Sequence, residues 1–390
     1  MTIGVFFGSR NPEHDISIIT GQLIISGLKA LGHLVAPVYL DKQGAWLVGS
    51  ELGEMKYFTA ESDSVNIKEK FAQYYLDLEK SRGQVVLRKK GMLGKEIIID
   101  LAFPAFHGAN GEDGAFQGMM EMLNVPYVGC GVAASAVAMD KILTKSFYKA
   151  HKIPTTEFIH FTRLDWNADK EKLIAEITKK LKWPMFVKPP LLGSSIGITK
   201  VDDEKQLEFA IEVAIHYGNT VLVEEGVKNL KDITCAVIGH AEVTASLLQQ
   251  SVYSKELLSY EDKYYEGAQT GKSTKSAVIP AELDEKTTQE IREMSVKIFK
   301  LLGCSGIARF DFLLNEKTGK YFANEINPLP GTLYHHLWEK SGVELPNLLE
   351  RLIGFAKQAH DDKNRYQATF QSDILKLAGS AKLKIKKDGE

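Results

Sequence analysis

Two short segments near residue 310 constrain this chain more than any others: Arg309-Phe310-Asp311-Phe312 and Asn324-Glu325-Ile326-Asn327. In both, polar and apolar residues alternate, the pattern of half-buried strands. Alternation sends Arg309 and Asp311 to one face of the first strand, and Glu325 and Asn327 to one face of the second. If the strands are neighbours, two carboxylates, an amide oxygen and a guanidinium converge. Hard Mg²⁺ ions take oxygen ligands of this kind and complete their shell with substrate phosphates. A guanidinium has no place in a purely structural metal cage, but it fits where negative charge develops during phosphoryl or acyl transfer. Alone, the same residues also suit a surface hairpin with a charged wet side, so the rest of the chain has to decide.

At 390 residues the chain is long for one domain and predicts two or three. Apolar content of 44% and charged content of 25% are those of an ordinary globular protein. A formal charge of −2 argues against a nucleic-acid-binding surface spanning the molecule. The three cysteines, Cys130, Cys235 and Cys304, lie far apart and form neither a metal spacing nor a disulfide framework. A reducing, cytoplasmic setting is the simplest account. The N-terminus enters Ile3-Gly4-Val5-Phe6-Phe7 without a basic flank, and no apolar run is long enough to span a bilayer. Neither a secretory signal nor a membrane association is expected.

The first third alternates strand and helix: strand Ile3 to Phe7, helix from about Asp15 to Leu31, strands Leu34 to Leu40 and Ala45 to Val48. Ile97 to Phe103 is almost wholly apolar, as in a covered parallel sheet. This order predicts an α/β layer. Residues 51–95 read as an excursion, a polar helix followed by a hairpin of Gln84 to Arg88 with Lys95 to Ile99. Helical spacing returns from Ser135 to Lys149. Thr155 to Phe161 and Met185 to Lys188 read as strands around a helix Lys170 to Leu181. Val221 to Glu225, Ile233 to Ile238 and Glu242 to Leu248 read as one antiparallel set. Ser251 to Ile279 is long, polar and weakly periodic, a length that in a compact domain is usually functional or disordered. Glu285 to Leu302 and Leu345 to His360 are amphipathic helices, and a polar, lysine-rich extension ends the chain.

Several segments carry chemistry. Val187-Lys188-Pro189 ends a strand and leads into Gly193-Ser194-Ser195-Ile196-Gly197, a loop of exposed backbone N–H groups suited to polyphosphate, though a plain turn fits too. The Walker A spacing is absent. Asp140-Lys141 offers a second cation on a helix. Val223-Glu224-Glu225-Gly226-Val227 ends a strand where backbone groups and a carboxylate can read an adenine edge, with Asp232 within reach of ribose hydroxyls. The loop His107 to Gly114 follows the apolar strand, and Glu13-His14-Asp15 follows the first strand. Both sit at carboxyl ends of parallel strands, where open α/β sheets bind ligands.

Taken in order, these segments resemble the D-alanine–D-alanine ligases of the ATP-grasp superfamily. The resemblance runs from the first strand to about residue 336. It rests on Glu13-His14-Asp15-Ile16-Ser17, His107 to Gly114 with Gln117-Gly118, Tyr127-Val128-Gly129, Asp140-Lys141, Val187-Lys188-Pro189, Gly193 to Gly197, Lys263-Tyr264, Arg309-x-Asp311, and Asn324 to Asn327 with Pro330-Gly331. Single members are weak signals, but the ordered set is specific. It implies an α/β, overall α+β, three-domain ATP-grasp architecture with a Rossmann-like parallel-sheet domain at 1–130. A central subdomain at 131–222, a catalytic domain at 223–360 and an extension at 361–390 complete the expected division.

The resemblance also implies roles. Lys141, Lys188 and Ser195 contact phosphates of ATP, and Glu224, Glu225, Val227 and Asp232 line the adenosine pocket, Asp232 one residue beyond the family acid. Asp311, Glu325 and Asn327 hold two Mg²⁺ ions, for which Mn²⁺ substitutes. Glu13 anchors the first substrate's ammonium in a triad with Ser194 and Tyr264. His107 lies near the reacting carboxylate, Lys263 on the lid, and Arg309 with the Gly331 N–H stabilises the tetrahedral oxyanion. The implied product is D-alanyl-D-alanine for peptidoglycan precursors, made through an acyl phosphate that a lid over Ser251 to Ile279 shields from water. A homodimer in the cytoplasm with small amino acids as its only other partners is expected. The chain departs from the family in two places. Gly8-Ser9 stands where a glycine pair is usual, and His336 stands where a serine helps bind the second substrate's carboxylate. An ATP-grasp ligase with another acceptor therefore stays open, as does a nucleotide-binding regulator.

Overall fold

The computed structural model describes residues 1–59, 71, 73–91, 94–253, 275–366, 369 and 372. Strand Thr2–Gly8 lies between Leu34–Leu40 and Leu101–Pro104 and runs parallel to both, with Trp46–Val48 antiparallel at one edge. Its residues from Ile3 to Gly8 are all buried, as a strand covered on both faces requires. Helix His14–Ala30 packs across this sheet through Ser17, Ile18, Gly21, Ile24, Ile25 and Leu28, spaced three and four apart. The apolar run from Ile97 to Phe103 is not one strand. It breaks at Asp100, which accepts from the Thr2 N–H at 2.7 Å through its carboxylate. Glu96–Ile99 instead pairs antiparallel with Val85–Lys89, so the expected hairpin is present in a separate three-stranded sheet. The expected polar helix lies largely outside the described residues.

The helical stretch after residue 131 is two helices, Val132–Met139 and Lys141–Ala150. Asp140 separates them because its carboxylate caps the second, accepting from the N–H groups of Ile142 and Leu143. The central sheet runs Thr199–Val201, Met185–Lys188, Thr220–Glu225, Phe158–Thr162, all antiparallel. Helices Lys170–Lys180 and Glu204–Tyr217 share its core, with Ile177, Leu207 and Ile211 fully buried among Met185, Val187 and Val221. Val221 to Glu225 therefore does not join Ile233 to Ile238 in one sheet, and residue 222 falls inside a strand of the central sheet.

The third sheet has five antiparallel strands, ordered Lys275–Val278, Val243–Tyr253, Leu230–Gly239, Gly306–Asn315, Tyr321–Asn327. Helix Glu285–Leu301 covers one side of it, burying Ile291, Ile298 and Phe299. Helix Leu345–Asn364 extends past the expected end at His360. It shares one core with the N-terminal sheet, in which Leu28, Leu333, Trp338, Leu349 and Leu352 meet. The N-terminal and C-terminal parts are thus packed directly on each other, and the loops at the carboxyl ends of the parallel strands face the third sheet.

Candidate active site

Between the N-terminal parallel sheet, the central sheet and the five-stranded sheet lies a cavity of about 590 Å³. Its walls hold Glu13, His107, Lys141, Lys188, Ser194, Ser195, Glu224, Glu225, Val227, Asp232, Arg309, Asp311, Glu325, Asn327 and Gly331, all residues that sequence reasoning singled out. Lys263 and Tyr264 lie outside the described residues. His336 is not among the lining residues; its Nε2 lies 2.7 Å from Oε1 of Gln249, a side chain that is itself buried.

The strand pair that opened the argument forms as alternation requires. Asp311 stands opposite Glu325, and Arg309 opposite Asn327. Arg309 grips Asp311 through Nε, at 3.1 Å from each carboxylate oxygen, and Nη2, at 2.8 Å from Oδ2. The Thr234 hydroxyl on the next strand donates to Oδ1 of Asp311 at 2.8 Å. Past Asp311 the register slips, leaving Asn324 as the bulge residue opposite no partner. The slip turns Asn324 into the cavity wall, where its Oδ1 is buried with no hydrogen-bond partner among the described residues. Strict alternation would have put Asn324 on the other face, which is why sequence reasoning gave it no role. Two carboxylates, the Asn327 amide and this orphaned amide oxygen form an oxygen-only donor set that fits Mg²⁺ completed by phosphate. No group of three His, Cys, Asp or Glu side chains that could hold a metal occurs among the described residues.

Opposite this wall are the cations. Lys141 donates to the Leu192 carbonyl at 2.8 Å and lies 3.5 Å from Glu325. Lys188, from the end of strand Met185–Lys188, is ion-paired with Glu224 on the neighbouring strand. Burial works against the charge on Glu224, but the ammonium groups of Lys145 and Lys188 override it and hold the carboxyl far below its ordinary range. Phe186 adds an aromatic wall beside them. The Glu225 carboxylate accepts from the Lys182 N–H at 3.0 Å and its own N–H goes to the Glu157 carbonyl, while Glu225 and Val227 both line the cavity.

The loop Gly193–Gly197 approaches Glu13 closely. The Ser194 hydroxyl donates to Oε1 of Glu13 at 2.5 Å, with Ser194 in the left-handed region at φ 52°. A Cβ on Gly193 would sit 2.7 Å from Oε2 of Glu13, so only glycine lets the loop come this near. Glu112, in the same wall, is buried and accepts from the Gly108 N–H at 2.6 Å. Burial, then the nearby charge of Glu13, pushes its carboxyl up to about 8.

His107 is buried, and that burial, with the charge of Arg309, lowers it to about 4. Its Nε2 is 2.8 Å from the hydroxyl of Thr20, which also accepts from the Thr332 N–H at 3.1 Å. A hydroxyl carries one proton and two lone pairs, so Thr20 can hold both partners at once. Thr20 was absent from the sequence reading because a threonine on a buried helix face looks like core. Here it ties helix His14–Ala30 to the segment Thr332-Leu333-Tyr334, three successive non-glycine residues at φ 47°, 56° and 49°. Tyr334 in turn faces the Arg309 guanidinium, 4.9 Å from its ring centre. Thr20→Val leaves two buried polar groups unpaired at about 1–3 kcal/mol each. We expect kcat to drop about tenfold with ATP affinity unchanged, and Thr20→Ser to restore it. Steady-state kinetics on both variants would contradict this if Val performs as well as Ser.

Two family models match the chain: the D-ala D-ala ligase N-terminus over residues 2–130 and the D-ala D-ala ligase C-terminus over 147–354. The chain belongs to the D-alanine–D-alanine ligase family. Within this family it is 36% identical over 377 residues to the D-alanine–D-alanine ligase of Thermosipho melanesiensis, covering 97% of this chain and 99% of the relative. It is also 36% identical to that of Acetivibrio thermocellus, covering 92% and 96%. Among solved structures it resembles the D-alanine–D-alanine ligase of Coxiella burnetii, with TM-score 0.76, 29% identity and 94% and 97% coverage. It also resembles the VanG D-Ala:D-Ser ligase of Enterococcus faecalis, with TM-score 0.75, 28% identity and 91% and 99% coverage. These likenesses establish the ATP-grasp fold and an ATP-dependent, ADP-forming ligase acting on small molecules. Among the described residues no helix is long and apolar enough to cross a membrane.

Proposed function

We propose that this ligase joins two D-alanine molecules, with Glu13 holding the first substrate's ammonium group and Arg309 and the Gly331 N–H receiving the oxyanion. The observation that carries this reading is the single cavity in which Glu13, Lys141, Lys188, Arg309, Asp311, Glu325 and Asn327 meet. A carboxylate is a poor electrophile, so its oxygen first takes the γ-phosphoryl group of ATP, with Lys188, Lys141 and the amides of the Ser194–Ser195 loop neutralising charge. Asp311, Glu325 and Asn327 would hold two Mg²⁺ ions, with Mn²⁺ as a substitute, whose charge neutralises the transferring phosphoryl oxygens. The second amino group then attacks the acyl carbon and expels phosphate. The buried His107, lowered to about 4 and so neutral, has its Nε2 beside the Thr20 hydroxyl, and in this reading it positions the Gly331 segment rather than acting as a base. Lys263 and Tyr264, outside the described residues, keep in this reading the substrate-binding and catalytic roles that the family resemblance implies. A cytoplasmic homodimer supplying peptidoglycan precursors belongs to the same reading.

A second acceptor is favoured by one observation: the serine of the acceptor pocket is replaced by His336, whose ring is turned to Gln249. ADP release with D-alanine alone, and with D-alanine paired with D-serine or D-lactate, decides between the two. Rapid turnover with D-alanine alone supports the homodipeptide. Turnover only with a mixed pair transfers the assignment to that acceptor, and nucleotide binding without ADP formation under any pairing would remove the ligase role.

A further inference from the structure

Lys145 belongs to none of the motifs above, yet it is one of the most buried charged side chains in the molecule, 2% exposed. It sits one turn after Lys141 on helix Lys141–Ala150 and does not line the cavity. Its three ammonium protons have three acceptors: Oε2 of Glu224 at 2.5 Å, the Thr156 hydroxyl at 2.8 Å and the Thr155 hydroxyl at 3.2 Å. Thr156 passes its own proton to Oε2 of Glu224 at 2.8 Å. The other carboxylate oxygen, Oε1, takes Lys188. One buried carboxylate thus stands between two ammonium groups, one behind it and one facing the cavity.

We infer that Lys145 is a positioning residue for nucleotide binding, acting through Glu224 to leave Lys188 with a charge for the phosphates. This rests on the reading of Lys188 as a phosphate ligand. A Lys188–Glu224 pair alone is neutral, and a neutral pair offers a triphosphate little attraction. With Lys145 behind Glu224 the trio carries a net charge of +1, in a site that water screens poorly. The arrangement also holds Glu224 in place, with Oε2 tied to Lys145 and Thr156 and Oε1 left for Lys188. Burying a lysine where an apolar residue would fill the space is costly, and the retained charge is its compensation.

The test is nucleotide affinity by calorimetry for adenosine, ADP and ATP, with wild type, Lys145→Met and Lys188→Met. Lys145→Met is expected to weaken ADP and ATP on the order of tenfold and to leave adenosine and the amino-acid KM unchanged. Equal loss for adenosine and ATP would mean a damaged pocket and overturn the inference, as would no loss at all. Lys188→Met tests the parent reading separately: undiminished ATP affinity there removes Lys188 as a phosphate ligand. Weakened ATP binding by Lys188→Met alone sinks only the role of Lys145. Should Lys145→Met fold poorly, the double variant Lys145→Met/Glu224→Gln removes the stranded carboxylate and restores the net +1. It must recover the preference for ADP over adenosine, and failure to do so counts against the charge argument.

Discussion

Arg309→Met lowers kcat on the order of 10²–10³-fold, the effect of deleting a donor aimed at a developing oxyanion. The guanidinium is half-buried, gripped by Asp311 and faced by Tyr334, so its position is set before substrate arrives. Removing it also takes the ion pair from Asp311, which among the described residues keeps hydrogen bonds from Thr234 and Asn327. Arg309→Lys does not restore the rate, because an ammonium cannot reproduce the two-pronged grip on a carboxylate. Initial rates of ADP release at saturating substrates, with ATP affinity measured apart, separate the two effects. An unchanged kcat in Arg309→Met would exclude the oxyanion role.

Glu112→Gln stabilises the ligand-free protein, and does so more as pH rises. The carboxyl is raised from 4.5 to about 8, so between these values the folded state holds a proton that the unfolded state has released. Folding stability tied to this group is full below pH 4.5 and lost as pH climbs through about 8. Glutamine keeps an acceptor for the Gly108 N–H and never ionises. The stability gap between variant and wild type should widen by about 3 kcal/mol from pH 5 to pH 8. Urea unfolding of both proteins at the two pH values measures it. His107 runs the other way: lowered to about 4, it costs stability as pH falls below its ordinary 6.5, and is unchanged by the Glu112 substitution. A gap independent of pH would show that Glu112 is ionised in the folded protein throughout.

The strand pair bearing Arg309, Asp311, Glu325 and Asn327 was readable because alternation with period two is a local property, and neighbouring strands inherit it. The loops at Glu13 and His107 were readable because glycine-rich turns after apolar strands mark one edge of a parallel sheet. The division of Ile97 to Phe103 between two sheets was not, because the break is made by the Asp100 carboxylate meeting the backbone of Thr2, 98 residues away. The antiparallel set assigned to Val221 to Glu225 failed for the same reason, since pairing partners are a matter of the whole chain.

By itself, then, the order of residues determined which polar side chains gather around the cavity and which local elements present them. Tertiary structure alone decided how those groups are held: Thr20 bridging His107 to Thr332, Asn324 turned inward by a bulge, Lys145 standing behind Glu224, and His336 turned to Gln249. Local patterns report the conformation of neighbours in sequence, whereas a buried polar group is defined by partners that only long-range packing supplies.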